Sequence, residues 1–202
     1  DPEHQHLARA RKGGIPIWGD VELTWRLRDK VAPPAHWNLI AGSSGVEMTS
    51  LLAAHLLVGG GRRYVVAGSV GMLALDAVRD PVGFDGLIVA LSPAQLQWIT
   101  RSGPGALRPE VSVCLTVDPA SDLPQEVFGR VYENTAIACV YNHADEATMH
   151  LVEDADVQEG CRAIGVGLGA PGRSDLGMVG DIVVDRAFLD ALRSRGRVRD
   201  LD

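Results

Sequence analysis

Short apolar segments alternate with helix-like segments along most of this chain, and this alternation limits the fold more than any other feature. Within the first half, the clearest strand-like segments are Trp37–Ala41, Tyr64–Ala67 and Leu87–Leu91. Strands that are apolar at nearly every position are buried on both faces, as in parallel sheets covered by helices. The sequence therefore predicts an α/β fold with a mainly parallel sheet and helices on both faces.

Further segments extend this pattern in both directions. Later strands are predicted at 111–117, 137–141 and 161–166, followed by a C-terminal β-hairpin at 178–184. A short strand is also predicted at 15–18, before the regular alternation begins. The helix predicted at 47–58 is expected to face the core with the side formed by Met48, Leu51, Leu52, His55 and Leu56.

Composition divides the chain into three parts. Pro33 and Pro34 interrupt it just before the regular alternation, as a linker does. Residues 1–36 are therefore predicted as an N-terminal segment with its linker, and residues 37–192 as one central domain. Residues 193–202 are predicted as a charged tail.

Charge and hydropathy exclude several classes of protein. The 202 residues include 19 basic and 26 acidic ones, which gives a net charge of −7 and argues against a nucleic-acid partner. No apolar run approaches the roughly 20 residues of a membrane-spanning helix, so no membrane insertion is expected. The first residues show no signal-peptide pattern, and a cytoplasmic localisation is expected.

Cysteine and lysine usage is also informative. Cys114, Cys139 and Cys161 lie in apolar surroundings and are predicted to be reduced and buried. The two lysines, Lys12 and Lys30, both precede the first predicted strand of the sheet. A site that needs a lysine beside a phosphate therefore has no candidate within the predicted sheet.

The loop after the first strand has the form of a phosphate-binding loop. A strand, a Gly-x-x-Gly turn and a helix follow one another, which favours an anion at the helix N-terminus. A nucleotide site also needs a Lys for the phosphates and a Ser or Thr for Mg²⁺, and here Val46 and Glu47 follow the turn. The simplest role for the serine pair is to cap the helix. The vestigial nucleotide-binding residues are Gly42, Ser43, Ser44, Gly45 and Thr49.

Motifs in a fixed order carry a family resemblance. Gly14–Trp25 resembles the end of the N-terminal domain of MurD-type ligases, and residues 37–188 resemble their central ATP-binding domain. The resemblance implies a ligase fold, with residues 1–36 as the remnant of the N-terminal domain. The family joins an amino acid to a muramoyl peptide through an acyl phosphate made with ATP and Mg²⁺. The landmarks include Gly68–Gly71, Leu91–Leu96, Leu107–Glu110, Val131–Glu133, Ala138–Asn142 and Val184–Phe188.

The chain departs from the family where ATP chemistry takes place. Val46 replaces the loop lysine, Glu47 the first threonine and Ala90 the glutamate that binds Mg²⁺. Phe128 aligns with a lysine that is carbamylated in the family, and residues 116–123 lack the family's metal-binding histidine. Ser92 and Gln95 are retained, whereas Ser69 stands where the family has an asparagine on substrate. Ser69, Ser92 and Gln95 are the candidate residues of a ligand cleft.

Three functional interpretations follow from this pattern. The preferred one is a catalytically inactive relative that acts as a binding or scaffolding partner, with a protein partner or a homodimer, in cell-wall or specialised biosynthesis. The second is an ATP-dependent amino-acid ligase of the MurD type. The third is a module that binds a small molecule in the old substrate cleft. No metal or cofactor is expected, and ATP with Mg²⁺ is expected only if the altered loop still binds them.

Overall fold

The computed structural model describes residues 4–30 and 34–188, which form an eight-stranded sheet with helices on both faces. Pro33 and the predicted tail at 193–202 lie outside the described residues. The strands are β1 His36–Ala41, β2 Tyr64–Gly68, β3 Gly86–Ala90, β4 Val111–Cys114, β5 Ala138–Asn142, β6 Arg162–Val166, β7 Leu176–Val179 and β8 Ile182–Asp185. The helices are α1 Gln5–Lys12, α2 Asp20–Leu27, α3 Val46–Gly59, α4 Ala74–Arg79, α5 Pro93–Leu96, α6 Gln125–Gly129 and α7 Glu146–Glu153.

The strand order is β2-β3-β1-β4-β5-β6-β7-β8. All neighbouring pairs are parallel except β7 and β8, which form the antiparallel hairpin that the sequence predicts. The central strands β1 and β3 are buried along most of their length, as strands covered on both faces must be. The α/β fold class is confirmed.

The segment around Ile15 does not form the strand that the sequence predicts at 15–18. Residues 15–19 have no regular structure, and Ile15 and Trp18 are exposed. Pro16 lies in this segment, and because proline has no backbone N–H it cannot donate to a strand ladder. The next element, α2, instead joins the main core through Val21 and Trp25.

Helix α3 corrects a second prediction, because its buried side is not the expected one. Ser50 and Ala54 are buried against the sheet, with Ala53 and Leu57 partly buried beside them. Ten of the fourteen residues of α3 are apolar and they lie on more than one side of the helix, so periodicity cannot select the side that packs. His55 is exposed, and four large apolar residues form an exposed surface that we call the outer α3 stripe: Met48, Leu51, Leu52 and Leu56.

This assignment predicts unequal costs for matched substitutions on α3. Leu56 is 73% exposed, so Leu56→Gln should change the free energy of unfolding by no more than about 0.5 kcal/mol. Ala54 is 8% exposed and packs on the sheet, so Ala54→Gln should cost about 2 kcal/mol or more through overpacking and a buried amide. Urea unfolding of both variants measures the difference. Equal costs would contradict the orientation of the helix.

Candidate functional site

The glycine loop between β1 and α3 lies at the carboxyl edge of the sheet, where ligands bind in open α/β folds. Gly42 has φ +152°, and an added Cβ there would lie 3.2 Å from Leu115 Cβ and from Thr116 N. Gly45, the N-cap residue of α3, has φ +78°, a left-handed conformation. The backbone therefore requires glycine at Gly45 and leaves little room for a side chain at Gly42.

The two loop serines do not cap the helix. Gly45 occupies the N-cap position and supplies no side-chain hydrogen bond. Ser43 Oγ accepts a hydrogen bond of 2.7 Å from the backbone N–H of Asp118, and Ser44 Oγ lies 3.3 Å from Thr116 Oγ1. The predicted capping role is wrong because both serine side chains contact the segment that follows β4.

The charge at the start of α3 is negative. Glu47 is exposed in the first turn of α3, where a carboxylate interacts favourably with the positive end of the helix dipole. Val46 is half-buried in the core cluster beneath the helix. An anion that approaches this helix end meets the carboxylate of Glu47 in place of a cationic side chain.

Ser69 is engaged in holding two strand ends together. Its N–H and its hydroxyl both donate to the carbonyl oxygen of Ala90, at 2.9 and 3.1 Å. The preceding Gly68 lies so close that an added Cβ would be 2.3 Å from the same oxygen. Ser69 therefore fixes the turn after β2 against the end of β3.

Ser92 and Gln95 form a capping box at the start of α5. The N–H of Gln95 donates to Ser92 Oγ at 3.2 Å, and the N–H of Ser92 donates to Gln95 Oε1 at 3.0 Å. Gln95 Nε2 also donates to Asp20 Oδ2 at 2.9 Å, which ties α5 to α2. Ser92 and Gln95 thus satisfy each other's backbone N–H groups, and Gln95 also positions the N-terminal segment.

The three cleft candidates do not line one cavity. Gln95 lines a cavity of about 380 Å³ together with Trp18 and Trp98. Ser69 and Ser92 line neither of the two described cavities. Of the loop residues, Thr49 is half-buried in the first turn of α3 and faces a different, larger space.

That larger cavity, of about 960 Å³, lies at the carboxyl ends of β4, β5 and β6 beside α3. Its floor is apolar because Val113, Val140 and Val166 point to the same face of three adjacent strands. Polar groups stand at its rim, among them Asn142 and His143. Sequence reasoning missed this cavity, although residues on alternate positions of neighbouring strands gave a signal for it.

A histidine and an aspartate meet at this rim. His143 Nε2 lies 3.2 Å from Asp175 Oδ2, and Asp175 Oδ1 accepts a hydrogen bond from Gly165 N–H at 3.1 Å. The ring of Tyr141 packs edge-on against His143, and burial, followed by the charges of Asp175 and Glu153, raises the pKa of Tyr141. The rim therefore offers a neutral phenol and a His–Asp pair beside an apolar floor.

The chain has named relatives but matches no family model. No family model matches the chain. It is 46% identical over 201 residues to the UDP-N-acetylmuramoylalanine--D-glutamate ligase of Leifsonia xyli subsp. xyli. The match covers 93% of this chain and 39% of that protein. The chain is related to MurD-type ligases. The relative from Streptomyces coelicolor, with the same name, is 42% identical over 94% of this chain and 41% of its own length.

A solved Mur ligase shares the fold. The UDP-N-acetylmuramoyl-L-alanyl-D-glutamate--2,6-diaminopimelate ligase matches with a TM-score of 0.58 and 16% identity. That match covers 77% of this chain and 37% of the ligase structure. The chain thus spans about two fifths of the length of the MurD-type relatives that it matches. No described helix is long and apolar enough to cross a membrane.

The positions that the resemblance assigns to nucleotide and metal binding carry Val46, Glu47, Ala90 and Phe128. Val46 and Glu47 bring no positive charge or hydroxyl to the loop, and Ala90 is a fully buried methyl group at the end of β3. Phe128 is also fully buried, within the main core. Among residues 4–30 and 34–188, no group of three or more His, Cys, Asp or Glu side chains could hold a metal ion.

Proposed function

We propose that this chain is a MurD-related domain that binds a partner in cell-wall precursor synthesis or specialised biosynthesis without transferring phosphate itself. The observation that carries the proposal is the start of α3, where Val46 and Glu47 stand in place of phosphate-binding residues. Phosphoryl transfer depends almost wholly on positioning and on neutralising charge. A carboxylate at the helix end and an alanine at the metal position remove both contributions.

The outer α3 stripe supports a protein partner or a second copy. Its members include Met48 and Leu56, which are 63% and 73% exposed, on one side of a single helix. Contiguous exposed apolar side chains on a folded protein favour protein–protein contact. The small-molecule interpretation instead draws support from the larger cavity, whose volume of about 960 Å³ is in the range of ligand sites.

A second candidate function is ATP-dependent D-glutamate ligation of the MurD type. The comparisons favour it over the binding role, because the relatives at 46% and 42% identity are named as ligases. The residues of the loop favour the binding role. The two candidates differ in whether Mg-ATP binds and is turned over.

One set of assays separates these functions. Light scattering over a range of protein concentrations should show a dimer, or a complex in the presence of the partner. The double variant with Leu52→Glu and Leu56→Glu should abolish this association.

Thermal unfolding with UDP-N-acetylmuramoylalanine tests the cavity, because a ligand of the folded state raises the melting temperature. A monomer at every concentration that melts higher with this compound would replace the partner interpretation with the small-molecule one. Release of ADP that requires UDP-N-acetylmuramoylalanine, D-glutamate and Mg-ATP together would establish the ligase instead.

A further inference from the structure

Two of the three thiols lie next to each other. Cys139 Sγ in β5 is 3.8 Å from Cys161 Sγ, which comes just before β6. Cys139 is 1% exposed, whereas Cys161 is half-buried and reaches the surface. From the sequence these residues are predicted as separate core positions, because they are 22 positions apart. The parallel pairing of β5 and β6 brings them together.

The two sulfur atoms are in contact, but they are not at bonding distance. A disulfide needs sulfur atoms about 2.05 Å apart, so the two must approach by about 1.8 Å. Cys139 is fixed in the sheet, where it pairs with Ala163. Cys161 lies in a turn, closed by the hydrogen bond from its N–H to Gln158 O, directly after Gly160 with φ +87°. Because Cys161 lies two positions before the Ala163 that faces Cys139, the link also needs a shift of this turn toward β5.

We propose that Cys139 and Cys161 are an oxidisable pair that closes into an intramolecular disulfide when the protein meets a peroxide. The sulfur of Cys161 attacks the O–O bond, so that one oxygen remains on sulfur as a sulfenic acid and the other leaves as water. The sulfur of Cys139 then displaces that oxygen, which leaves as a second water with the proton of the Cys139 thiol. The two thiols lose two electrons in total and the peroxide gains two.

The different surroundings of the two thiols set this order. Burial, followed by the charge of the neighbouring Cys161, raises the pKa of Cys139, so Cys139 is the less reactive thiol of the pair. Cys161 is the member that solvent reaches. The third thiol, Cys114 in β4, is buried, and burial followed by the charge of Asp145 raises its pKa to about 12. Cys114 is therefore an internal control for non-selective oxidation.

The disulfide would close a loop between β5 and β6. The segment between the two cysteines contains α7 and the rim residues Asn142 and His143. A covalent link across its ends would join β5 and β6 near their amino ends, where the two strands are already paired. Oxidation is therefore expected to stabilise the folded chain, because a cross-link restricts the unfolded state.

Peptide mapping of the intact chain tests the proposal. Cleavage after glutamate separates the three cysteines, since Glu110, Glu126, Glu133, Glu146 and Glu159 lie between or beside them. After hydrogen peroxide treatment, the protein should lose the mass of two hydrogen atoms and keep one of its three alkylatable thiols. The peptides of Cys139 and Cys161 should be joined, and reduction should separate them. The melting temperature should rise on oxidation and return on reduction.

Two variants complete the test. Cys114→Ser should still form the link, whereas Cys161→Ser should not. A link to Cys114, a dimer joined through Cys161, or sulfinic and sulfonic acids without a link would each overturn the proposal. The mapping of the unsubstituted protein decides the matter even if a variant fails to fold.

Discussion

Replacing Gly68 by alanine should lower the free energy of unfolding by about 3 kcal/mol or more. Gly68 ends β2 with φ +105°, and an added Cβ would lie 2.3 Å from the carbonyl oxygen of Ala90. The backbone of β3 cannot move away easily, because Ala90 is fully buried and its oxygen also accepts two hydrogen bonds from Ser69. Both the conformation and the contact therefore penalise a side chain. Urea unfolding followed by tryptophan fluorescence measures the loss.

Gly61→Ala is the matched control. Gly61 has φ +81°, but nothing lies within 4 Å of an added Cβ. This variant carries the conformational cost of about 1 kcal/mol without the collision. If Gly68→Ala were no more costly than Gly61→Ala, the close approach of β2 and β3 at this edge would be wrong.

Phe128→Ala should cost about 3–5 kcal/mol. The side chain of Phe128 is 0% exposed and belongs to the main core, beside Val131 and Tyr132. Removal of the ring loses its burial and leaves a cavity that neighbouring side chains fill only in part. Phe128→Lys should be at least as damaging, because an ammonium would be placed in an apolar core. Denaturant unfolding with an unchanged slope gives both values.

Phe84→Ala serves as the comparison for this variant. Phe84 is partly buried at the edge of the same core, and the guanidinium of Arg63 lies 4.6 Å from its ring centre. Its truncation should cost about 1–2 kcal/mol, since solvent can occupy much of the vacated space. A cost for Phe128→Ala as small as that for Phe84→Ala would show that Phe128 is not a core residue.

The sheet could be predicted because its signal is local. The central strands are mostly apolar, and a glycine or a proline follows each within three residues, so strand positions and the parallel arrangement follow from the sequence. The hairpin of β7 and β8 is equally local, with Gly180 in its turn. These predictions are confirmed.

The orientation of α3 could not be predicted, because the choice of buried side depends on the sheet. Small side chains at Ser50 and Ala54 allow close packing, whereas the larger Leu51 and Leu52 remain outside. The rim of the larger cavity could not be predicted from the sequence either. His143 and Asp175 meet only after β5, β6 and β7 have assembled.

The capping role of Ser92 and Gln95 is predictable from the sequence. Ser92-Pro93-Ala94-Gln95 matches the capping-box pattern, in which a serine is followed three residues later by a glutamine. The resemblance instead implies a ligand cleft that contains these two residues. Local hydrogen bonding explains the pair as the structure has it, whereas the cleft stays a prediction for Ser69, Ser92 and Gln95.

Calorimetric titration of the chain with Mg-ATP tests the central claim most directly, namely that this MurD-related domain does not use ATP. The ligase of Leifsonia xyli subsp. xyli is the positive control. With Val46 and Glu47 at the start of α3, we expect no binding tighter than about 1 mM. Saturable binding near 1 μM, about 4 kcal/mol more favourable, would contradict the claim and establish a working nucleotide site.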